Sequence, residues 1–291
     1  MANPTGMRGK GTAFGAATVV NAMPTGCGAA LSVSLQTFAE VELTGHKDID
    51  VIITDDRSER TRLAIESFRV VMERFGVESG GIIKTKSNIP IACGMKSSSA
   101  ASNAIVMAAL DAIDKKLDDL SLINMAVEAS LRAKASITGA FDDACASFLG
   151  MLQITDNFQR RILKSCDIEP LSVLFLVPDE KSYSGEVDIS KIKSSGKLSG
   201  VAFSEALQGR HWQAMLLNGL TMCRVFGYDP LPIIDAMQNG ALSAGLSGKG
   251  PAICAVSKKE NEAQIEEGWE ALGHTIIKTE VNQKKATEAL Q

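Results

Sequence analysis

The chain has 291 residues, of which 45% are hydrophobic and 22% are charged, and its formal net charge is −4 at pH 7. This composition is typical of globular proteins and excludes the disordered and fibrous classes. The small negative charge gives no reason to expect nucleic acid or an anionic membrane as a partner. No apolar run approaches the roughly 20 residues that cross a bilayer, and the first residues lack the apolar core of a signal peptide. The sequence therefore predicts a cytoplasmic protein without a membrane partner.

Cysteine and histidine usage narrows the kinds of catalytic site. The six cysteines lie far apart without a C-x-x-C pair, which argues against a disulfide framework and against a clustered metal site. The chain contains three histidines, so a zinc hydrolase or a Ser-His-Asp hydrolase is a poor candidate.

The first half of the chain predicts strands followed by helices. From Leu31 to Leu43, apolar residues and one threonine occupy every second position, which predicts a long half-buried strand in an antiparallel sheet. Further strands are predicted at 48–54 and 80–93. Between them, residues 59–75 carry apolar side chains at helical spacing, typical of an amphipathic helix. Further helices are predicted at 97–113, 120–135 and 142–148.

The second half begins with a continuous apolar run at 171–178, which predicts a buried strand. The polar segment 179–200 predicts a loop. Helices follow to about residue 239, and the end reads as strand, glycine-rich turn, strand, helix and strand. Strands gathered early, helices in the middle and a small strand–helix set at the end favour an α+β fold over a doubly wound sheet. We predict two lobes, 1–160 and 161–291.

The stretch "IPIACGMKSSSAASNAIVMAALDAI" (89–113) leads from a strand through a glycine turn into a helix of small residues. The first N–H groups of a helix lack intrahelical partners and, with the positive end of the helix dipole, form a site for phosphate. Gly94 lets an anion approach the backbone, Lys96 adds positive charge, and the hydroxyls of 97–99 can donate to phosphate or coordinate magnesium. One serine would be an ordinary N-cap, but three exceed what capping needs. The spacing does not match a P-loop.

Two later stretches add candidates. Asp142 and Asp143 adjoin each other inside the apolar "TGAFDDACASFLGML", and charged pairs are rarely buried without purpose. Helix capping explains one of these aspartates but not easily both. In "AGLSGKGPAICAV" (244–256), glycines at 245, 248 and 250 separate two apolar strands. By itself this stretch also fits a plain glycine-rich hairpin.

In this order and at these distances, the three stretches resemble the GHMP kinase superfamily. Its second motif, P-x-x-x-G-L-G-S-S-A, is matched by Pro90, Gly94, Met95, Ser97 and Ser98. Its third motif is a late glycine-rich turn, matched by Gly245, Gly248 and Gly250. The archaeal-type shikimate kinases of this superfamily carry G-x-K-S-S-S-A instead, and Lys96 and Ser99 fit that narrower pattern.

The resemblance implies a two-lobed α+β GHMP kinase fold, with a ribosomal-S5-like N-terminal lobe and a ferredoxin-like C-terminal lobe. It implies ATP-dependent phosphorylation of a hydroxyl of shikimate, giving shikimate 3-phosphate in chorismate and aromatic amino-acid biosynthesis. Ser98 would touch Mg²⁺, Asp142 would face the acceptor hydroxyl, and Lys96 would offset charge on the phosphates. Glu128 is a weaker candidate for a second magnesium ligand, the alternative being an exposed helix residue. The residues expected to bind ATP are Pro90, Ile91, Ala92, Cys93, Gly94, Met95, Lys96, Ser97, Ser98, Ser99, Ala100, Gly248 and Gly250.

One departure from the wider pattern concerns a lysine. Mevalonate-kinase relatives place it in the first motif beside the catalytic aspartate, but the matching region "AATVVNAM" has none. Either Lys10 or Lys96 supplies that charge, or the role is absent.

A shikimate carboxylate calls for an arginine or lysine, and the candidates are Arg8, Arg132, Lys134 and Arg224. The candidates for hydroxyl contacts are Asn21, Thr25 and Thr138. The segment 179–188 is a candidate to close over the substrate.

Other functions stay open. The chain could be another small-alcohol kinase of the superfamily, such as a homoserine or mevalonate kinase. It could also be a sensor that binds ATP or a metabolite without catalysis, although Asp142 and the serine loop argue against that, or an oligomerisation module. The expected partners are shikimate and ATP, and a homodimer is compatible with the sequence.

Overall fold

The computed structural model describes residues 5–54, 61–136, 138–178 and 189–289. Its strands are β1 Thr5–Val20, β2 Cys27–Thr44, β3 Ile49–Ile53, β4 Gly81–Ser87, β5 Leu152–Asp156, β6 Arg161–Cys166, β7 Ser172–Val177, β8 Ser243–Leu246, β9 Ile253–Ser257 and β10 Thr275–Glu280. Its helices are α1 Arg62–Phe75, α2 Ser97–Ala112, α3 Asp119–Arg132, α4 Phe141–Leu149, α5 Ile189–Ser194, α6 Gly196–Leu207, α7 His211–Phe226, α8 Leu231–Gln238 and α9 Glu262–Glu270.

Strand β2 organises the first sheet. Strand β1 runs antiparallel along one edge of β2. The other edge is shared, because β4 pairs with residues 37–43 of β2 and β5 pairs with residues 27–31. Strand β3 extends the sheet beyond β4, and β6 extends it beyond β5. From Thr37 to Leu43 the odd-numbered residues of β2 are buried and the even-numbered ones are at least partly exposed, which confirms the predicted half-buried strand.

The second sheet has the order β10-β7-β9-β8 and is antiparallel throughout. All residues of β7 and β9 are buried, as expected for central strands covered on both faces. Two sheets with helices packed around them confirm the predicted α+β class. Strand β6 still belongs to the first sheet, so the chain passes between sheets after Cys166 and before Ser172. The predicted division between 160 and 161 stays a prediction.

Helix α2 lies unusually close to β1. A Cβ added to Gly9 would fall 2.2 Å from the carbonyl oxygen of Ala108, and one added to Gly11 would fall 2.0 Å from that of Ala104. Glycines on the strand and alanines on the helix therefore allow the two backbones to approach each other. This packing fixes the position of the N-terminus of α2 relative to the end of β1.

The polar segment 179–200, predicted as a loop, is partly helical. Residues 179–188 lie outside the described residues, but α5 and α6 begin at Ile189 and Gly196, so the loop prediction is wrong for that part. Ser199 is fully buried in α6, which packs against α7 and β1. Small polar residues mimicked a loop in the sequence because tertiary contacts, not local propensity, stabilise this helix.

Among the described residues, no helix has both the length and the apolar character that a transmembrane span requires.

Candidate active site

A cleft of about 960 Å³ opens where the glycine turn before α2, the start of α4 and the turn between β8 and β9 meet. It collects most of the residues predicted from the sequence. Of the predicted nucleotide-binding and catalytic residues, those that line it are Pro90, Ile91, Ala92, Gly94, Lys96, Ser97, Ser98, Ser99, Asp142, Gly248 and Gly250. Stretches far apart in the chain therefore form one site.

The turn before α2 depends on unusual backbone conformations. Ala92, Gly94 and Lys96 all have positive φ, at 60°, 86° and 65°, in the region that residues with a Cβ adopt only at a cost. A Cβ on Gly94 would lie 2.1 Å from the carbonyl oxygen of Ser247. Glycine is therefore required at 94 both for the turn and for its contact with the late glycine-rich turn.

Hydrogen bonds join the late glycine-rich turn to the turn before α2 and to the end of β1. The Ser247 hydroxyl donates to the Gly94 carbonyl over 2.8 Å and accepts from the Thr18 amide over 3.2 Å. The Gly248 amide donates to the Thr18 hydroxyl, and the Asn21 side chain donates to the Gly248 carbonyl, both over 2.8 Å. Two motifs that lie 153 residues apart in the chain are thereby held against each other.

The start of α2 presents backbone donors to this cleft. Lys96 occupies the N-cap position, and no side chain among the described residues caps it. The N–H groups of the first turn, at 97–99, are therefore left for a ligand, and the helix dipole adds positive potential. The Ser98 side chain is exposed to the cleft, whereas Ser99 is 7% exposed.

Three predicted nucleotide-binding residues have buried side chains outside the lining. These are Cys93, Met95 and Ala100. The carbonyl of Met95 accepts from the Ala16 amide, and that of Cys93 accepts from the Ala252 amide. They therefore support the shape of the loop from behind, while the neighbouring residues face the cleft.

Asp142 is buried at the floor of the site. It lies in the first turn of α4, is 5% exposed, and its Oδ1 accepts a hydrogen bond of 2.7 Å from the side chain of Asn157. Burial, and next the charge of Asp143, raise the pKa of Asp142 to about 7, while Lys96 and the Asn157 hydrogen bond oppose that rise. A carboxyl group with such a pKa can exchange a proton at neutral pH.

Lys96 forms an ion pair with Asp143, with Nζ 2.9 Å from Oδ1 and the two side chains 10% and 14% exposed. The same Nζ lies 3.3 Å from where a Cβ on Gly248 would stand. Lys10 instead faces the exposed Glu40 across the outer part of the first sheet. Of the two lysines that the sequence left open, Lys96 is the one placed beside the aspartates.

Glu128 does not line the cleft. Its side chain forms ion pairs with Arg132 and Arg160. Ser130, two residues further along α3, does line the cleft, and positions two apart are about 200° apart around a helix. Glu128 therefore points away from Ser98, as in the alternative of an exposed helix residue.

The acceptor-binding candidates separate into two groups. Lys134, Asn21 and Thr138 line the cleft. The other four do not line it. Arg8 pairs with Glu42, and Arg132 pairs with Glu73 and Glu128. Arg224 is exposed on α7, and the Thr25 hydroxyl donates to the backbone carbonyl of Cys27. The candidate cover at 179–188 lies outside the described residues.

Some residues at the site were missed by sequence reasoning. Arg62 and Lys249 line the cleft, and Gly28 and Asn157 surround the Asp142 carboxylate. Lys249 lies between Gly248 and Gly250 of the late glycine-rich turn, so the sequence does carry a signal for it. Asn157 carried none, because a single asparagine after a strand is common in turns.

Two family models match the chain. "GHMP kinases N terminal domain" matches residues 62–151, which include the turn before α2 and Asp142, and "GHMP kinases C terminal" matches residues 232–275, which include the late glycine-rich turn. Proteins named shikimate kinase match over nearly the full length. The one from Methanothrix thermoacetophila is 39% identical over 96% of both chains. The one from Methanothermobacter thermautotrophicus is 41% identical over 92% of this chain and 93% of that protein.

Solved structures agree on the fold. The homoserine kinase from Cytophaga hutchinsonii superimposes with a TM-score of 0.74 at 19% identity, covering 94% of this chain and 96% of that one. The mevalonate kinase from Methanococcus jannaschii gives 0.75 at 13% identity, covering 95% and 98%. The chain therefore belongs to the GHMP kinase superfamily and, within it, to the family of the archaeal shikimate kinases.

Proposed function

We propose that this protein transfers the γ-phosphoryl group of ATP to a hydroxyl of shikimate, giving shikimate 3-phosphate, a step of chorismate biosynthesis. Full-length similarity to proteins named shikimate kinase supports the acceptor. The observation that carries the kinase chemistry is the meeting, in one cleft, of an uncapped helix start with a buried carboxyl group of raised pKa.

The first half of the site suits the triphosphate. The glycine turn at 90–96 and the free amides of 97–99 offer donors that are already in place before the nucleotide binds. Phosphoryl transfer requires mainly positioning and stabilisation of charge on the phosphate oxygens. Lys96 supplies a positive charge at the same point, and Asp143 holds it there.

The second half of the site suits the acceptor. An alcohol has a pKa far above 7, so a base can take its proton only late, as the new bond to phosphorus acidifies it. Asp142 would accept that proton or orient the hydroxyl, and its own pKa of about 7 matches this task. Lys134 and Thr138, at the rim of the same cleft, are candidates to contact the acceptor carboxylate and hydroxyls.

The residues of the cleft also fit magnesium bound together with ATP. Mg²⁺ usually takes one or two protein oxygens, with water and phosphate oxygens completing its shell. The exposed hydroxyl of Ser98 would be such a ligand, and no group of three or more acidic, cysteine or histidine side chains suited to a metal occurs in the described part of the chain. When bound, the ion would neutralise charge on the β- and γ-phosphates. Glu128 is not proposed as a ligand.

A panel of acceptor alcohols tests the proposal. Purified protein with MgATP is incubated separately with shikimate, homoserine and mevalonate, and ADP release is measured. We expect shikimate to be turned over with a kcat/KM at least roughly a hundredfold above the others, since a site built for one set of polar groups rejects acceptors that leave those groups unpaired. Faster turnover of homoserine or mevalonate would assign the protein to that acceptor instead.

A thermal-shift measurement separates the kinase from an oligomerisation module. A protein that binds MgATP gains stability in its presence, so the melting temperature should rise with nucleotide concentration. A sensor would show that rise without ADP release in the panel, and an oligomerisation module would show neither.

A further inference from the structure

Asn157 follows directly after β5, and its side chain reaches the start of α4. It is 3% exposed. Its Nδ2 donates to Oδ1 of Asp142 over 2.7 Å, and its Oδ1 accepts from the Asp142 amide over 3.2 Å. One side chain therefore binds both the backbone and the carboxylate of Asp142.

A second donor fixes the orientation of the Asn157 amide. The hydroxyl of Thr155, fully buried on β5, donates to Oδ1 of Asn157 over 2.7 Å. Turning the amide over would set its NH₂ group against the N–H of Asp142, so two donors would face each other. The positions of these donors therefore require the Asn157 oxygen to face them and its NH₂ group to face the carboxylate.

The other carboxylate oxygen of Asp142 is held by shape. A Cβ on Gly28 of β2 would lie 2.3 Å from Oδ2, so this oxygen lies directly over a strand position that has no side chain. A hydrogen bond on one oxygen and close backbone packing on the other leave the carboxylate little freedom to rotate.

Within the described part of the chain, the charged and titratable groups that interact with Asp142 are Asp143, Lys96 and Cys145. Asp143 on the same helix opposes its ionisation, and Lys96 before α2 favours it. The Cys145 thiol, also on α4, has its own pKa raised by burial and next by Asp142. The NH₂ group of Asn157 donates a stronger hydrogen bond to the carboxylate than to the neutral acid, so it favours the ionised form.

We propose that Asn157 is a positioning residue for phosphoryl transfer, which holds the Asp142 carboxylate in one orientation toward the acceptor hydroxyl. This inference rests on the proposed function, in which Asp142 faces the acceptor hydroxyl. Asn157 itself does not line the cleft, so it acts through Asp142.

The test compares wild type with Asn157→Leu, which keeps the branched shape of the side chain but removes its hydrogen bonds to Asp142 and Thr155. We expect kcat with shikimate to fall roughly tenfold to a hundredfold, because a catalytic group that is slightly displaced loses this much rate. KM for ATP should stay within about twofold, because the turn before α2 is untouched. The acidic limb of the pH–rate profile should move to higher pH. Asn157→Asp keeps the two acceptor bonds, adds a second acid, and should move that limb further.

Gln153→Leu is the matched control. Gln153 is also a fully buried polar residue of this region, on β5, but its side chain bonds Gly150 and Ser165 and not Asp142. It should lower the melting temperature as Asn157→Leu does, without moving the acidic limb. Equal shifts in both variants, or none in either Asn157 variant, would overturn the positioning role.

A measurement without acceptor keeps the two proposals apart. The Asp142 carboxyl is titrated by NMR in ¹³C-labelled wild type, in Asn157→Leu and in Asn157→Asp, with Asp142→Asn identifying the signal. A higher pKa in the Asn157 variants supports the positioning role even if shikimate proves to be the wrong acceptor, and coinciding titration curves would refute it even if shikimate is phosphorylated. If Asn157→Leu fails to fold, Asn157→Ser replaces it, because this smaller variant also loses the amide donor without adding a charge.

Discussion

Helices α2 and α4 both begin at the cleft, and their first turns are built alike but carry opposite chemistry. Each follows a residue with positive φ, Lys96 at 65° and Ala140 at 50°, and neither of these two residues caps its helix with its own side chain. In α4 the side chain of Asn157 accepts from the Asp142 amide instead. The first turn of α2 contains serines and no acidic residue, whereas that of α4 contains Asp142 and Asp143.

This difference shows how one backbone arrangement serves two tasks. The start of a helix attracts negative charge. In α4 the protein supplies that charge itself, and the dipole helps to keep buried carboxylates ionised. In α2 the positive end is left to a ligand, and Lys96 reinforces it while pairing across the cleft with Asp143.

The largest effect is expected from removing the charge at the start of α4. Asp142→Asn should lower kcat by roughly a hundredfold or more, the scale of a lost general base, while the Kd for ATP stays nearly unchanged because α2 is intact. Steady-state kinetics and calorimetric ATP binding check this. Asp119→Asn, at a partly exposed aspartate in the first turn of α3, is the control. Near-normal turnover in Asp142→Asn would refute the assignment.

The next largest effect on activity is expected from breaking the Lys96–Asp143 ion pair, which links the starts of α2 and α4. Lys96→Met leaves Asp143 with a buried charge lacking its partner, which costs about 3 kcal/mol of unfolding free energy, and it removes positive charge from the phosphates. We expect kcat to fall roughly tenfold to a hundredfold.

Adding Asp143→Asn to Lys96→Met should recover most of the stability but not the activity. Denaturant unfolding and ADP release measure the two quantities separately. Recovery of activity in the double variant would mean that Lys96 serves only to neutralise Asp143.

The pKa of Asp142 predicts the pH dependence of activity. Because the ionised form is the one that can accept a proton, kcat/KM should decline as pH falls through about 7, by about tenfold for each pH unit well below it. A pH–rate profile with shikimate checks this, and a profile that is level down to pH 5 would contradict it.

Stability should depend on pH in the opposite direction. The pKa of Asp142 is raised from 3.8 to about 7 in the folded state, so the native chain binds this proton more tightly than the unfolded chain does. That stabilisation is fully present below the unfolded pKa and is lost as pH rises through about 7. Asp142→Asn should therefore melt at a higher temperature than wild type at pH 8, with the difference shrinking toward pH 5. Equal melting curves at pH 8 would contradict the raised pKa.

The smallest effect is expected from a single hydroxyl at the start of α2. Ser98→Ala should raise KM for MgATP roughly threefold to tenfold, the scale of one lost ligand or hydrogen bond, with little change in stability because the side chain is exposed. Ser121→Ala, in the first turn of α3, is the control. Unchanged kinetics over a range of Mg²⁺ concentrations would remove Ser98 from the list of proposed ligands.

Much of the fold could be predicted because its signals are local. The alternation along β2, the apolar run of β7 and the order of strands and helices were readable from periodicity. Strand β1 was not recognised, because its glycines weaken the strand signal and serve instead to admit α2. The short strands β5 and β6 were also missed, since pairing with β2 and with each other defines them.

The site could be predicted only as separate stretches. The glycine turn before α2 and the aspartate pair were evident from residue type. The sequence could not show that Lys134 lines the cleft and that Glu128 does not. That choice depends on the rotation of α3 against its neighbours and on the turn at Lys134, where φ is 58° and the helix has ended. Asn157 could not be found at all, because its role exists only once β5 lies beside α4.

The sequence by itself determined the chemistry available to this protein: a glycine turn, a row of serines, a lysine, an aspartate pair and the family to which they point. The tertiary structure decided which of these groups act together. Three contacts join residues from separate parts of the chain: the Ser247–Gly94 hydrogen bond, the Lys96–Asp143 ion pair and the Asn157–Asp142 hydrogen bond. Local propensity encodes the elements, but contacts between distant residues arise only when those elements pack.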